Sequence, residues 1–393
     1  MNKTSQWDFV SLYEAVDIFD SVRKPVNRDE RETKIANKQE SELFPYYGAT
    51  GQVGFIDDYL IEGEYVLLGE DGAPFLNPFA QKAYIITGKS WINNHAHILR
   101  SKSGNNKFLC YYLNLFDYKG YVSGTTRLKL TQDQMKRIPV PVPPLPEQQR
   151  IVARIEELFS QLDAGVETLK KTKQQLEVYR QAVLKEAFDE ILAETREFSI
   201  RDVCNDIKVG IVIKPAQYYT DSEFGVKAFR SANVREFQIN DRDWVYLTSE
   251  GHEANKRSEI HTGDVLIVRS GYPGTACVVT KDFNNCNAID ILIAVPNKEI
   301  VTPEYLCAYT NSPYGRKLVS EKKRGVAQAH LNVGGYSNMK IYVPSIEAQK
   351  RVVGKIEMRL SCCEQIEKDI KTASVKTEAM RQSILKQAFE GGL

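Results

Sequence analysis

The stretch from Pro139 to Asp189 constrains the fold more than any other part of the chain. It begins Pro-Val-Pro-Val-Pro-Pro-Leu-Pro-Glu-Gln-Gln-Arg and then continues without an interrupting proline. At about 1.5 Å per residue, a helix of this length extends roughly 60 Å, more than one domain core can cover. The stretch therefore predicts a long helix that packs against another long helix. Its apolar stripe has heptad spacing at Ile155, Leu162, Leu169, Leu176 and Val183, with Ile151, Leu158 and Tyr179 beside them.

The same segment returns near the end of the chain. Residues Tyr342 to Arg351 repeat the Pro-x-x-x-x-Gln-x-Arg pattern, and the two copies align without a gap, so that Phe188 matches Phe389. The heptad positions of the second copy are Ile356, Cys363, Ile370, Thr377 and Ile384. Since Cys363 and Thr377 weaken this stripe, the second helix is expected to pair antiparallel with the first.

The regions before the two helices also repeat each other, with more divergence. Gly263–Pro273 corresponds to Gly63–Pro74, and Gly325–Leu331 corresponds to Gly124–Leu130. We therefore predict an α/β (α+β) fold with two globular domains separated by two long antiparallel helices, which form a coiled-coil spacer in a pseudo-two-fold tandem repeat. The predicted segments are a first domain at 1–143, a helix at 144–192, a second domain at 193–343 and a helix at 344–393.

Composition excludes several protein classes. The chain has 393 residues and a formal net charge of +1, so its charge alone does not indicate a nucleic-acid-binding protein. Its seven cysteines form no Cys-x-x-Cys pair, which favours reduced thiols over a disulfide framework. The first residues lack the apolar core of a signal peptide, and we expect a cytoplasmic protein.

Several partial motifs do not amount to a catalytic or metal site. Gly88-Lys89-Ser90 resembles the end of a phosphate loop, but Ala83 stands where the first glycine belongs. Asn77-Pro78-Phe79 is an incomplete version of an amino-methylating motif, because Phe79 replaces its second proline. His95 and His97 alternate as on a strand, without a third ligand nearby in the sequence. The expectation is a chain without a catalytic site and without a metal site.

Glycine-rich loops in both domains carry side chains suited to DNA. Arg and Gln can hold the edges of guanine or adenine by paired hydrogen bonds, whereas Ser, Thr and Lys position phosphates. The alternative is that these loops are ordinary turns with solvated charges. The loops are Tyr46-Tyr47-Gly48, Gly124-Thr125-Thr126-Arg127, Arg269-Ser270-Gly271-Tyr272 and Lys322 to Gln328.

The doubled Pro-x-x-x-x-Gln-x-Arg segments, their helices and the preceding loops resemble the specificity subunit of type I restriction-modification enzymes. The resemblance covers essentially the whole chain. It implies that each domain recognises one half of a bipartite DNA target, and that the helices set the gap and dock two methyltransferase subunits. It also implies that two restriction-translocase subunits can join. In that family S-adenosylmethionine binds the methyltransferase partner, and ATP and Mg²⁺ belong to the restriction subunits, so no cofactor is expected on this chain.

Individual residues follow from these loops and segments. The expected DNA contacts are Tyr46, Tyr47, Thr125, Thr126 and Arg127 for one half-site, and Arg269, Tyr272, Arg324, Gln328 and His330 for the other. Each could instead be structural, and His330 could simply hold its loop in place. The expected docking residues are Gln148, Arg150, Gln349 and Arg351, with helix capping as the alternative. Two other functions stay open, namely a non-catalytic coiled-coil scaffold and a stand-alone DNA methyltransferase.

Overall fold

The structure is a computed structural model that describes residues 7–191, 195–321 and 330–392. Its contacts divide the chain into two units. Unit 1 comprises residues 1–170 together with 370–393, and unit 2 comprises residues 171–369. Each unit therefore contains one globular domain and a part of both long helices. The division predicted from the sequence instead gives each long helix a segment of its own, and it stays a prediction.

Unit 1 is built on two four-stranded sheets and one separate pair of strands. One sheet has the order β2-β9-β6-β7 and is antiparallel, and the other has the order β4-β3-β8-β5, in which β3 and β8 are parallel. β1 pairs with β10, the strand that leads into the first long helix. The strands are β1 Phe9–Ser11, β2 Val16–Ile18, β3 Phe44–Gly48, β4 Gly51–Ile56, β5 Ile61–Glu62, β6 Tyr65–Gly69, β7 Ala83–Ile86, β8 Lys89–Ile92, β9 Ala96–Ser101 and β10 Pro139–Pro141.

Unit 2 repeats this topology. The antiparallel sheet β12-β22-β19-β20 corresponds to β2-β9-β6-β7, and the parallel pair β14 and β21 corresponds to β3 and β8. β11 pairs with β23 ahead of the second long helix, as β1 pairs with β10. The strands are β11 Arg196–Ser199, β12 Cys204–Val209, β13 Tyr219–Thr220, β14 Val226–Phe229, β15 Val234–Arg235, β16 Gln238–Ile239, β17 Val245–Leu247, β18 Glu259–Ile260, β19 Val265–Val268, β20 Ala276–Val278, β21 Cys286–Ala288, β22 Ile291–Pro296 and β23 Lys340–Val343.

Two helices are far longer than the rest, and they confirm the predicted pair. α5 has 45 residues and α10 has 44. After α10, Gly391 adopts a left-handed φ of 76°, and the N–H of Gly392 donates to Gln387 O at 2.9 Å, which ends the helix. The helices are α1 Leu12–Ala15, α2 Arg28–Ile35, α3 Asn106–Leu115, α4 Gln132–Lys136, α5 Leu145–Asp189, α6 Ser249–Ala254, α7 Pro303–Asn311, α8 Pro313–Glu321, α9 Val333–Ser337 and α10 Ile346–Phe389.

The two long helices are antiparallel within each unit. In unit 2, Glu186 of α5 pairs with Arg359 of α10 at 2.6 Å, and Arg180 pairs with Glu367 at 3.2 Å. In unit 1, Asp163 of α5 pairs with Arg381 of α10. Residue numbers fall along one helix as they rise along the other, which defines the direction. These surface pairs stabilise little individually and mainly fix the register.

The end of each long helix packs against a short helix of one domain. In unit 1, the ring of Phe389 lies 5.0 Å from Phe108 and 5.4 Å from Tyr112, both on α3. In unit 2, Phe188 lies 5.4 Å from Tyr305 and 5.3 Å from Tyr309 on α7. All these rings are buried, so the last turn of α10 is part of the core of unit 1.

Burial along the predicted stripe is uneven. Ile151, Ile155, Leu176 and Val183 are buried, whereas Leu162 and Leu169 are half-buried because only the partner helix covers the middle of α5. Tyr179 is 47% exposed, so the prediction that it lies on the buried stripe is wrong.

Among the described residues, the structure contains no helix with the length and apolar character needed to cross a membrane.

Substituting Phe389→Ala tests the packing of the α10 end. Loss of a buried aromatic side chain costs about 3–5 kcal/mol, so the amide protons of α3 should exchange much faster. Phe188→Ala should instead expose α7. Met380→Ala is the matched control, because Met380 is 51% exposed on the same helix and its loss should change stability by about 0.5 kcal/mol or less. Unchanged α3 protection in the Phe389→Ala chain would contradict this packing.

Candidate nucleic-acid interface

A groove of about 720 Å³ opens on unit 1 where several loops meet. These loops are the β3–β4 turn, the segment after β6, the turn before β9 and the glycine-centred loop that contains Arg127. The groove contains hydroxyl, amide, carboxylate and guanidinium groups together, so it can recognise a polar ligand. Its lining residues are Gly48, Ala49, Thr50, Val53, Asp71, Gly72, Ala73, Pro74, Asn93, His95, Thr126, Arg127 and Leu128.

The Arg127 loop is tied to the end of β6 by its backbone. The N–H of Leu130 donates to Glu70 O at 2.7 Å, and the N–H of Gly72 donates to Leu128 O at 2.9 Å. Arg127 forms an ion pair with Asp71 at 2.7 Å, while 59% of its side chain stays exposed. The loop thus holds a guanidinium at the groove with donors left over for a ligand.

A buried polar network supports the groove from below. His97 is buried and contacts Asp20 Oδ2 at 2.6 Å through Nδ1 and Leu130 O at 3.0 Å through Nε2. Arg23 donates to Glu70 at 2.5 Å and lies 3.3 Å from Asp20. Burial by itself raises the pKa of Asp20, but the hydrogen bond and charge of His97 outweigh it and hold that pKa below its ordinary value.

This network gives His97 neighbours that the sequence did not predict. In the part of the chain that the structure describes, Asp20, Glu70 and His97 form the one group whose ligand atoms lie within 4.8 Å of one another. Arg23 already neutralises its carboxylates, and Asp20 also accepts from the Ile98 N–H at 2.8 Å and from Gln132 at 3.0 Å. Hydrogen bonds therefore use the oxygens that a metal would need, and the group serves as an ion-pair network.

Unit 2 holds the matching loop in the same way with different side chains. The N–H of Leu331, the counterpart of Leu130, donates to Arg269 O at 3.1 Å. The guanidinium of Arg269 contacts Asp290 at 2.5 Å and Leu331 O at 3.2 Å. Ser270 Oγ lies 2.5 Å from His330 Nδ1. Where unit 1 has the acidic Glu70, unit 2 therefore has a basic residue, so the two loops present different chemistry.

The structure brings some of the predicted DNA contacts to the surface. Thr125, Thr126 and Arg127 are exposed, His330 is exposed, and Tyr272 is 83% exposed. Arg324 and Gln328 lie outside the described residues.

Three other predicted DNA contacts have internal partners. Tyr46 is buried, and its hydroxyl donates to Val26 O at 3.2 Å. Tyr47 is half-buried, and burial raises its pKa. Only 17% of the Arg269 side chain is exposed. These three side chains therefore shape the loops, and the exposed residues are better placed for base contacts.

The predicted docking residues also divide into two kinds. Gln148 is buried; its amide donates to Pro143 O at 2.9 Å and accepts from Ser103. Gln349 is fully buried, accepts from the Thr302 N–H at 2.8 Å and donates to Ile300 O and Pro344 O. Both glutamines join a helix start to its own domain. Arg150 and Arg351 are exposed.

Sequence reasoning missed Asp71 and Asn93 of the groove. Asp71 orients Arg127, and the Asn93 side chain accepts from the His95 N–H at 2.8 Å, which shapes the turn before β9. The correspondence between the loop after Gly69 and the Arg269 loop was the signal that could have identified Asp71. Asn93 has no comparable signal, because its role depends on the folded turn.

A family model described as the type I restriction modification DNA specificity domain matches residues 5–178. A putative type I restriction enzyme specificity subunit of Haemophilus influenzae is 34% identical over 155 residues, which cover 39% of this chain and 38% of that protein. The EcoBI specificity subunit of Escherichia coli is 25% identical over 295 residues, which cover 69% of this chain and 62% of that protein.

The matched regions span less than two thirds of both curated relatives. Among solved structures, a chain from work on complex assembly and conformational transition of the type I R-M system superposes with a TM-score of 0.70. It has 17% sequence identity, and the match covers 98% of both chains, so this likeness concerns the fold. Together these matches confirm the family resemblance and the predicted fold class.

Substituting Gln349→Ala separates a structural from a docking role. It leaves the buried Thr302 N–H and two carbonyl groups without their partner, which should lower the unfolding free energy of unit 2 by about 1–3 kcal/mol. Arg351→Ala, two residues away and exposed, should leave that free energy unchanged. Urea unfolding of both variants measures the difference. A Gln349→Ala chain of unchanged stability that fails to bind its partner would assign Gln349 to docking instead.

Proposed function

We propose that this chain is a specificity subunit of a type I restriction-modification system and that it recognises a bipartite DNA target. The family model of the type I restriction modification DNA specificity domain matches residues 5–178, and the relatives are named as specificity subunits. In this proposal unit 1 recognises one half-site through the Arg127 groove. Unit 2 recognises the other half-site through its Ser270–His330 loop pair.

One observation carries the proposal, namely that both units hold equivalent loops by equivalent backbone bonds but present different side chains. Leu130 to Glu70 in unit 1 and Leu331 to Arg269 in unit 2 are the same interaction in the repeat. A scaffold protein has no need of two matched loops with unlike polar groups. Two domains that recognise different half-sites require equivalent loops with different side chains, because each half-site must be distinguished by its own hydrogen bonds.

Arg127 is the best-placed candidate for a base contact in unit 1. The Asp71 carboxylate contacts its Nε, which leaves the two terminal nitrogens to form paired hydrogen bonds with guanine O6 and N7. Thr125 and Thr126 on the same loop can donate to phosphates, which position the loop without sequence choice. In unit 2 the exposed ring of Tyr272 and the Ser270–His330 pair are the corresponding groups.

The long helices supply the proposed docking surface for two methyltransferase subunits. Apolar side chains point away from the helix pair, among them Val375 at 67% and Met380 at 51% exposure in unit 1, and Val178 at 71% and Met358 at 73% in unit 2. Exposed apolar residues along a helix are typical of surfaces that another helix covers. S-adenosylmethionine then binds the methyltransferase partner, and ATP and Mg²⁺ bind optional restriction subunits, in a cytoplasmic prokaryotic complex.

Arg127→Ala and Tyr272→Ala form a reciprocal pair that tests half-site recognition. A lost paired contact to a base costs about 1–3 kcal/mol, so Arg127→Ala should reduce discrimination at one position of one half-site by roughly ten- to a hundredfold. Tyr272→Ala should affect only the other half-site. Sequencing of methylated DNA from cells that carry each variant with its methyltransferase measures both effects.

The same experiment can overturn the proposal. Equal loss of both half-sites in either variant, with each variant as stable as the parent chain, would show that the two loops do not recognise separate halves.

A further inference from the structure

A cavity of about 790 Å³ lies in unit 2 beside the first half of α10. None of its lining residues is among the proposed DNA contacts. Its apolar wall comprises Cys307, Ala308, Val353, Ile356 and Leu360. This volume and this mixture of apolar wall and polar groups are typical of small-ligand sites.

Two aromatic rings fill the corresponding place in unit 1. Tyr111 matches Ala308 and Phe159 matches Leu360 in the repeat. The Tyr111 and Phe159 rings lie 5.8 Å apart and perpendicular, and the guanidinium of Arg381 lies 4.9 Å above Phe159. The smaller residues of unit 2 therefore leave out the volume of one aromatic ring and part of a second.

The charges differ at the same place. In unit 1, Lys107 of α3 pairs with Glu156 of α5 at 2.5 Å. The matching residues of unit 2 are Glu304 and Glu357, which both line the cavity. Within the described part of the chain, neither carboxylate has an ion-pair or hydrogen-bond partner. Unit 2 thus lacks a cation where unit 1 has one.

The other charged groups of the lining do not supply a cation for Glu304 and Glu357. Glu364 accepts a hydrogen bond from Gln238. Lys298 lies against Gly263, and its charge acts on the neighbouring Asp264. With Lys281, the lining contains two lysines and three glutamates, so its balance is acidic.

We infer that this cavity binds a group that combines an aromatic ring with a positive charge. The ring would occupy the space that Tyr111 and Phe159 fill in unit 1, and the cation would take the place of Lys107 beside the carboxylates. Burial of the ring supplies the affinity, and the pairing of charges supplies the selectivity. A free aromatic amine and an Arg-aromatic pair on a polypeptide share this chemistry.

Titration calorimetry on the full-length chain tests the inference with three probes. Tryptamine represents the free amine, N-acetyl-Arg-Trp-amide represents the polypeptide, and indole-3-acetate carries the same ring with the opposite charge. At least one cationic probe should bind tenfold or more tightly than indole-3-acetate. Binding by tryptamine alone assigns a free amine, and binding by the dipeptide alone assigns a polypeptide segment.

Variants that copy unit 1 provide the controls. Ala308→Tyr with Leu360→Phe should fill the cavity and weaken the cationic probe at least tenfold. Glu304→Gln, which keeps the shape of the side chain, should weaken the same probe several-fold and leave the binding of uncharged indole unchanged. Thermal unfolding of each variant verifies that the chain remains folded.

Two results would overturn the inference. One is a cationic probe that binds no more tightly than indole-3-acetate. The other is a folded Glu304→Gln chain that binds the cationic probe as tightly as the parent chain does.

Discussion

The structure depends on the packing of each long-helix end against a short helix of a domain. Phe389 packs on Phe108 and Tyr112, and Phe188 packs on Tyr305 and Tyr309. Each aromatic side chain buries a large apolar area in a well-packed site, where its loss costs several kcal/mol. The two contacts therefore fix which part of each helix belongs to which unit. As a result, neither domain is complete without residues from both long helices.

The repeat keeps this apolar core and changes the polar groups around it. Asn114 and Asn311 accept matching hydrogen bonds from the first residues of β7 and β20, the Ala83 and Ala276 N–H groups, at 3.1 Å and 3.0 Å. Around these constant positions, Glu70 is replaced by Arg269 and Lys107 by Glu304. Apolar packing tolerates little change of volume, whereas exposed loops tolerate a change of charge, so the two units could acquire different ligands on one architecture.

Much of the architecture was predictable because it depends on periodicity. The heptad stripe predicted the two long helices, α5 and α10. The repeat made the second domain predictable from the first. Tyr179 was misplaced on the buried stripe because the next residue, Arg180, faces α10 at this level and pairs with Glu367.

The candidate site was less predictable because it depends on tertiary contacts. Tyr46 and Gln349 are polar residues in promising segments, yet the fold buries both and uses their hydrogen bonds internally. Asp71 orients Arg127 because the loop that contains Arg127 lies against the end of β6, which is a tertiary contact. A single sequence indicates that a polar side chain needs a partner, and only the fold shows whether that partner is internal or a ligand.

The central claim of the proposed function is that the length of one helix pair sets the gap between the two half-sites. Insertion of three heptads into each helix, between Lys170 and Lys171 and between Asp369 and Ile370, keeps the contacts inside each unit and adds roughly 32 Å, close to one turn of DNA. Sequencing of the methylated motif with this chain should show both half-sites unchanged and their gap longer by about nine base pairs. Half-sites that stay methylated at the original gap would contradict the claim.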